Sequence, residues 1–487
     1  MTPFRRLDRL YHHTYIQNIL TCYYRKVTAE QNACFYKTSY NPAWYVVLYE
    51  IYIKIYMMIH ECIANDKETN FMTWINRAIT NHLMHVIDTF PAVLITGPRQ
   101  IGKSSLLQMV AKDFEYITFD NTLLLQQAKK DPELFLMNHS SRLILDEIQY
   151  IPELFTYLKI RIDDMRFEAL QRNQHQKCLF LLSGSQAYGS MQNVSESLAG
   201  RLAILPLQGI SYREQKNISC IKPFLPTEEY LSVRKKESVD LADIWATIYR
   251  GYMPKLVASD DDWDTFYSSY VSTYIERDVN QISNIGDKMD FVRFMTSVAA
   301  RSGELLNYDN ISKDIGVSST TVKRWVQILE TSGIILLLYP YYNNHLKRMI
   351  KTPKIYFMDT GLMAWLTRWI TPDTIKHGAK AGQFFETFVI SEIVKSFLNA
   401  GKSLRNLYFY RDADQKEIDL VIENNRTIYP VEIKMTAKPE KKMTQAFRVL
   451  EAIEADDMQI GGGAVINLYP ELMLIDKNVR SIPAGYL

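Results

Sequence analysis

The sequence predicts an α/β fold: a doubly wound parallel sheet built around a phosphate-binding loop, then a helical and winged helix-turn-helix module, then a second α/β domain. Three observations carry this reading. An apolar strand at residues 93–96 empties into Gly97-Pro98-Arg99-Gln100-Ile101-Gly102-Lys103-Ser104. A second apolar strand, residues 142–145, ends in Asp146-Glu147. Far downstream, Glu417-Ile418-Asp419 and Val431-Glu432-Ile433-Lys434 stand on either side of a turn at Asn424-Asn425.

With 47% apolar residues, the 487-residue chain has material for several cores, about three domains at ordinary size. Its 56 basic and 54 acidic side chains leave a formal charge of +2, so any nucleic-acid surface must be a local patch. Cys22, Cys34, Cys62, Cys178 and Cys220 show no C-x-x-C or metal-ligand spacing, which points to a reducing cytoplasm.

Residues 1–71 read as an N-terminal extension of unknown role. The segment is tyrosine-rich, and its apolar run at 44–59 is interrupted by Glu50 and Lys54, with His60 and Glu61 just beyond. No membrane span is expected from such a run, and no signal-peptide pattern precedes it. Two readings stand: an amphipathic helix packed on the body, or an over-extended start with the true beginning near Met72.

Residues 72–220 form the first α/β domain. Gly97 and Gly102 permit backbone angles that turn several N–H groups inward on a phosphate, and Lys103 reaches the outer phosphates. Ser104 offers a hydroxyl to Mg²⁺, and the helix opening at Ser104-Ser105 aims its positive end at the anion. The alternative is a glycine-bearing turn that happens to contain Lys-Ser. Strand and helix stand where the phosphate chemistry needs them, which favours nucleotide binding.

At the end of the next buried-type strand, Asp146 is suited to the Mg²⁺ shell and Glu147 to orienting and deprotonating a water. The strand at 116–120 lies between, so the element order is that of a doubly wound sheet. Another strand, 178–182, ends in Ser183-Gly184-Ser185-Gln186, where a polar side chain can sense the terminal phosphate. Then comes Glu196-Ser197-Leu198-Ala199-Gly200-Arg201, leading into a strand at 203–207. Arg201 is placed either to stabilise charge on a phosphoryl group, in its own subunit or across an interface, or to make a surface salt bridge.

The run from Trp74-Ile75-Asn76-Arg77 through the Gly-Pro-Arg-Gln-x-Gly-Lys loop, Leu-Asp-Glu-Ile-Gln, Ser-Gly-Ser-Gln and Ser-Leu-Ala-Gly-Arg resembles a prokaryotic AAA+-type P-loop ATPase family. Members carry a C-terminal domain of uncharacterised function, and the likeness covers nearly everything after about Met72. The resemblance implies ATP and Mg²⁺ as ligands, with residues 97–105 as the cradle. It implies Lys103 and Ser104 in the phosphate and metal roles, Asp146 with Glu147 as the metal and water pair, and a sensor at Ser183 or Ser185. Arg201 matches the family's Gly-Arg position, where a finger role is itself a conjecture.

Residues 221–345 read as the helical and winged-helix module. Arg250-Gly251-Tyr252-Met253-Pro254 and the helix at 270–279 resemble further motifs of that family. Tyr270, Tyr274 and Arg277 at helical spacing suggest packing with a salt bridge. Residues 308–315 make a helix ending at Gly316, Ser318 caps the next helix, and 333–338 is a strand, the order of a winged helix-turn-helix. Val322, Trp325 and Leu329 point inward on that second helix. Thr320, Lys323, Arg324 and Gln327 point outward, suited to duplex DNA; the alternative is a winged helix that only mediates domain contacts, and Asp309, Asp314 and Glu330 dilute the positive field.

Residues 346–487 carry a helix with Glu386 and Glu392, a strand with Asp419, a turn, and a strand with Glu432-x-Lys434. That order is the PD-(D/E)xK pattern of restriction-endonuclease-like metal nucleases. Asp419 and Glu432 would bind a divalent ion, Lys434 would polarise the water, and Glu386 would assist from the helix. The alternative is a hairpin with a cross-strand ion pair, in a cleft that binds without cutting.

The expected protein is thus a cytoplasmic Mg²⁺-dependent ATPase, with duplex DNA as a partner through the winged helix. It is a homo-oligomer if Arg201 acts in trans. The alternative is a nucleotide-switched module that binds protein or nucleic acid with no nuclease chemistry.

Overall fold

The computed structural model describes residues 74–184, 198–218, 222–274, 288–341, 352–412, 414–453 and 458–487. The expectations for residues 1–71, for Ser185 and for Arg277 lie outside the described residues. Residues 72–487 form one compact unit.

Five strands build the first sheet: β1 (Ala92–Thr96), β2 (Glu115–Thr118), β3 (Leu143–Asp146), β4 (Phe180–Gly184) and β5 (Leu202–Pro206). All pair in parallel, in the order β2-β3-β4-β1-β5. Successive side chains on a strand point to opposite faces, so this buried sheet feeds two cores. Val93, Ile95, Ile144 and Leu181 join one core; Leu94, Leu143, Leu145, Phe180 and Leu182 join the other. Ser183 and Gly184 lie within β4 rather than beyond it, which sets Ser183 beside Ile95 of β1.

Among the helices that follow are two consecutive ones joined by a short turn. Tyr308–Ile315 is opened by the Asn307 side chain, which accepts from Asn310 N–H, and ends at Gly316 in the left-handed region (φ 77°). Ser318 accepts from Thr321 N–H and starts Ser319–Thr331. Asn and Ser satisfy N–H groups that the first turn leaves unpaired, and glycine takes the positive φ without a Cβ clash. Val322, Trp325, Val326 and Leu329 are buried, while Thr320, Lys323, Arg324 and Gln327 are exposed.

Strand β6 (Ile335–Leu338) then pairs antiparallel with β7 (Lys354–Phe357). The boundary expected at 345/346 therefore falls between two strands of one small sheet. Apolar alternation in β7 reads equally well as the first strand of the next domain, and only the pairing tells the two apart.

Asp359 caps Thr360–Leu366 by accepting from Leu362 N–H. The long helix Ala381–Asn399 runs through the centre of the C-terminal part, with 16 of its 19 residues buried. It packs against a mixed sheet of β8 (Leu407–Arg411), β9 (Glu417–Asn424), β10 (Thr427–Ile433), β11 (Gln459–Ile460), β12 (Gly463–Asn467), β13 (Met473–Asp476) and β14 (Val479–Pro483). The order is β13-β14-β12-β10-β9-β8, with β11 on β10. The β9–β10 hairpin turns on Asn425 and Arg426, both with positive φ (48° and 61°), one residue later than expected. Among the described residues no helix is long and apolar enough to cross a membrane.

Candidate functional site

The phosphate loop follows the carboxyl end of β1, where an open parallel sheet presents its crevice. Gly97 (φ 140°), Gln100 (φ 60°) and Gly102 (φ 87°) take positive φ, and the helix Lys103–Val110 begins directly after. Gly97 has no alternative residue: a Cβ there would fall 2.1 Å from the Leu207 carbonyl oxygen. At Gly102 the corresponding space is open, with nothing within 4 Å, so the loop keeps a free face beside the helix N-terminus. Pro98 and Ile101 are buried, Arg99 is half-buried, and Gln100 and Ser105 are exposed.

Lys103 is buried, and its Nζ donates to the Gly97 and Pro98 carbonyl oxygens at 3.0 and 2.8 Å. Asp146, at the tip of β3, collects three hydroxyls. Ser104 Oγ donates to Oδ1 at 2.8 Å, Tyr116 Oη to Oδ2 at 2.6 Å, and Ser183 Oγ to Oδ1. Burial, then the hydrogen bond to Asp146, holds the Tyr116 hydroxyl above its usual range, so the phenol stays a donor. Ser104 and Asp146 are thus already side by side, as a shared Mg²⁺ shell requires, and Ser183 touches the same carboxylate.

Glu147 sits in a left-handed turn (φ 56°), and Gln149 Nε2 donates to its Oε2. Burial raises the Glu147 carboxyl above the ordinary carboxylate range, against the pull of Gln149, Lys103 and Arg99. A carboxylate with raised basicity near a phosphate loop suits proton abstraction from water.

Arg77 is a contributor that spacing did not reveal. Buried just before the helix Thr80–Thr89, it donates to Ile101 O at 2.9 Å and Gln208 O at 2.6 Å, and pairs with Glu214 at 3.2 Å. Glu214 also accepts from Ala78 N–H and Ser211 N–H, both at 2.7 Å. One guanidinium thereby ties the phosphate loop to the segment after β5. Its residue type alone carried no such signal, because all its partners are distant in sequence.

Arg201 lies elsewhere. It precedes β5, whose Leu202 pairs with Ala92 at the amino end of β1, whereas the loop follows Thr96 at the carboxyl end. About 13 Å of strand separates the two levels. Its guanidinium pairs with Asp163 through two hydrogen bonds, 2.7 and 2.9 Å. The in-cis contact with a phosphate is therefore unavailable, and the surface ion pair is what forms.

The C-terminal sheet gathers a second cluster. Asp419 on β9 and Glu432 on β10 are buried neighbours, and Lys434 reaches them at 3.4 and 2.6 Å. Ile433 N–H donates to Asp419 Oδ2 at 2.8 Å. Glu386 joins from the long helix, accepting from Tyr356 Oη at 2.6 Å. Burial, then Asp419, raises Glu386 and pushes Glu432 up to about 8. Glu432 Oε2 has no hydrogen-bond partner among the described residues. Lys354 on β7, which the sequence offered only as part of a strand, enters the same cluster, 2.6 Å from Glu417 and 3.3 Å from Glu386. Glu392, by contrast, faces the first domain: it pairs with Lys395 at 2.8 Å and accepts from Tyr212 N–H at 2.8 Å.

Residues 89–216 match an AAA domain. Residues 241–373 and 381–487 each match a domain of unknown function, DUF8612 and DUF4143 respectively. Over 430 residues the chain is 28% identical to uncharacterized proteins of Mycobacterium bovis and Mycobacterium tuberculosis, covering 88% of this chain and 88% of each of them. Among solved structures it is similar to a Walker-type ATPase of Pyrococcus abyssi (13% identity, 61% of this chain and 97% of that one, TM-score 0.37). AMPPCP-bound DnaA from Aquifex aeolicus also matches (14% identity, 52% and 85%, TM-score 0.21).

Proposed function

The chain carries an AAA domain of the P-loop ATPase class ahead of domains of unknown function, and from that premise we propose a Mg²⁺-dependent ATPase whose nucleotide state is read by the helix-turn-helix and passed to duplex DNA. One observation supports this reading above the rest. Lys103 is bound to the carbonyls of Gly97 and Pro98, and Pro98 packs on Gly333, at the end of the helix Ser319–Thr331.

The residues present fit the ligand. Backbone N–H groups of residues 97–105 and Lys103 would hold the phosphates, and Ser104 with Asp146 would hold Mg²⁺. Bound there, Mg-ATP supplies the anhydride whose cleavage by water releases phosphate. Glu147 takes the proton from that water, and Ser183 keeps Asp146 oriented. When Lys103 turns toward a phosphate it gives up the Gly97 and Pro98 carbonyls. That re-aims the turn that abuts Gly333 and Gln208, whose Nε2 donates to Gly333 O at 3.3 Å. The exposed Thr320, Lys323, Arg324 and Gln327 then offer phosphate and base-edge contacts from the same helix. Arg201 serves a phosphate only across an interface between copies, so its catalytic role belongs to a homo-oligomer. Metal-dependent nicking at Asp419 and Glu432 is not expected, because the Lys354 ammonium stands 3.9 Å from Asp419.

ATP turnover by the purified chain, with and without duplex DNA and beside Lys103→Ala, tests the reading. Turnover that DNA accelerates and Lys103→Ala abolishes is expected. Turnover indifferent to DNA overturns the DNA step in favour of a protein partner, and tight ATP binding without turnover overturns the role given to Glu147.

A further inference from the structure

Lys354 is 3% exposed at the start of β7, where the small antiparallel sheet meets the C-terminal one. Its Nζ lies 2.6 Å from Glu417 Oε1, 3.3 Å from Glu386 Oε1 and 3.9 Å from Asp419 Oδ1, with the Phe409 ring centroid 5.7 Å away. Three carboxylates from two different elements therefore converge on one ammonium. One of them, Asp419, is a residue that the metal-nuclease pattern assigns to the divalent ion, and Glu386 is the one that pattern has assist from the helix.

We propose that the Lys354 ammonium is a resident cation of this cleft, standing beside Asp419, which the nuclease pattern assigns to a divalent metal, and that it fastens the β6–β7 sheet to the C-terminal sheet. The remaining charges agree. Lys434 engages both Glu432 and Asp419, and Arg411 reaches Glu417 at 3.3 Å, so four carboxylates face three cations of the chain itself. Mg²⁺ or Mn²⁺ needs about six oxygen ligands near 2.1 Å, and an ion between Glu386 and Asp419 would overlap the ammonium. Among the described residues no three His, Cys, Asp or Glu side chains are placed to hold a metal ion. Among the described residues Glu432 Oε2 is the one fully buried carboxylate oxygen of this cluster with no hydrogen-bond partner. A buried cluster of this kind punishes removal of one member far more than it rewards the whole set. Lys354 is accordingly a positioning residue that holds Glu386, Glu417 and Asp419 together.

This inference stands apart from the ATPase reading and is tested without nucleotide. Mn²⁺ binding to the full chain, followed by electron paramagnetic resonance and by thermal unfolding, is compared across the wild type, Asp419→Asn, Lys354→Met and Lys354→Arg. The expected wild type takes up no Mn²⁺ that Asp419→Asn removes, and its unfolding midpoint is indifferent to the metal. Lys354→Met is expected to unfold several degrees lower and to recover with millimolar Mn²⁺, a recovery absent from Lys354→Met/Asp419→Asn. Lys354→Arg keeps the charge and is expected to stay indifferent. Stoichiometric Mn²⁺ on the wild type, lost in Asp419→Asn, would overturn the proposal, as would a folded Lys354→Met no more responsive than the wild type. Should Lys354→Met not fold, the wild-type comparison with Asp419→Asn decides alone.

Discussion

Pro98 of the phosphate loop packs against Gly333 at the end of the helix Ser319–Thr331, so close that a Cβ built on the glycine falls 3.1 Å from the proline Cδ. The phosphate loop and the end of this helix therefore meet at a backbone position with almost no slack. Gly333 also has φ +73°, a conformation L side chains rarely adopt. Replacing it with alanine costs roughly 1–2 kcal/mol of backbone strain and pushes on Pro98. Gly333→Ala is expected to weaken DNA stimulation of ATP turnover more than it lowers the basal rate. Equal losses in both rates would show that this contact carries no signal.

Within the loop, the two glycines separate cleanly. A Cβ at Gly97 meets the Leu207 carbonyl at 2.1 Å, and neither backbone segment can step aside, because Leu207 N–H also donates to Thr96 O at 2.7 Å. At Gly102 only the positive φ resists substitution. Gly97→Ala is expected to lose at least about tenfold in ATP affinity, roughly 1.4 kcal/mol, and more than Gly102→Ala. Equilibrium binding of a fluorescent ATP analogue ranks them, and the reverse order would contradict the geometry.

What the sequence made legible here is what is contiguous. Gly97 to Ser104, Asp146-Glu147 and Glu432-x-Lys434 are short motifs whose spacing already encodes a turn or a strand face. Ser183 was found because strand ends of a parallel sheet share one edge. Arg77, Tyr116 and Lys354 stayed hidden for a physical reason: each acts on a partner brought near only by the sheet order. Arg77 reaches Ile101 and Glu214 from 24 and 137 residues away. Strand β7 alternated correctly for either neighbouring domain, so its partner, β6, was not readable from hydrophobicity. Arg201 shows the converse: a suggestive Gly-Arg pair lies at the end of the sheet opposite its own loop, and only strand direction reveals it.

Arg77 gives a stability prediction. Its guanidinium and the Glu214 carboxylate are almost wholly enclosed, with side chains 5% and 2% exposed. Arg77→Met would leave Glu214 without its cation and the Ile101 and Gln208 carbonyls without a donor. Breaking a buried pair from one side costs roughly 3–5 kcal/mol. Urea unfolding should show a loss of that size, with nucleotide affinity falling as well because the loop loses an anchor. A loss below about 1 kcal/mol would mean that water or a neighbouring group replaces the arginine.

Glu330 supplies the pH dependence. It lies in the last turn of the helix Ser319–Thr331, and burial raises its carboxyl above the ordinary range. The titratable groups facing it are Tyr308 and Tyr339, whose own hydroxyls are raised by burial first and then by its charge. A folded pKa above the unfolded one means that the folded chain holds this proton more tightly. The stability it contributes is present below the unfolded value, about 4.3, and is lost as pH rises through the folded value. Glu330→Gln cannot ionise and escapes that loss. The variant is therefore expected to match the wild type most closely near pH 4, to gain on it as pH rises from the unfolded to the folded value and to hold that gain beyond it, as read from urea midpoints across a pH series. The same substitution removes a negative charge from the helix that carries the exposed Lys323 and Arg324, so duplex affinity should rise at low salt and the gain should fade as salt screens it. A stability gap that narrows with rising pH would mean that Glu330 is held ionised in the fold, contrary to its burial.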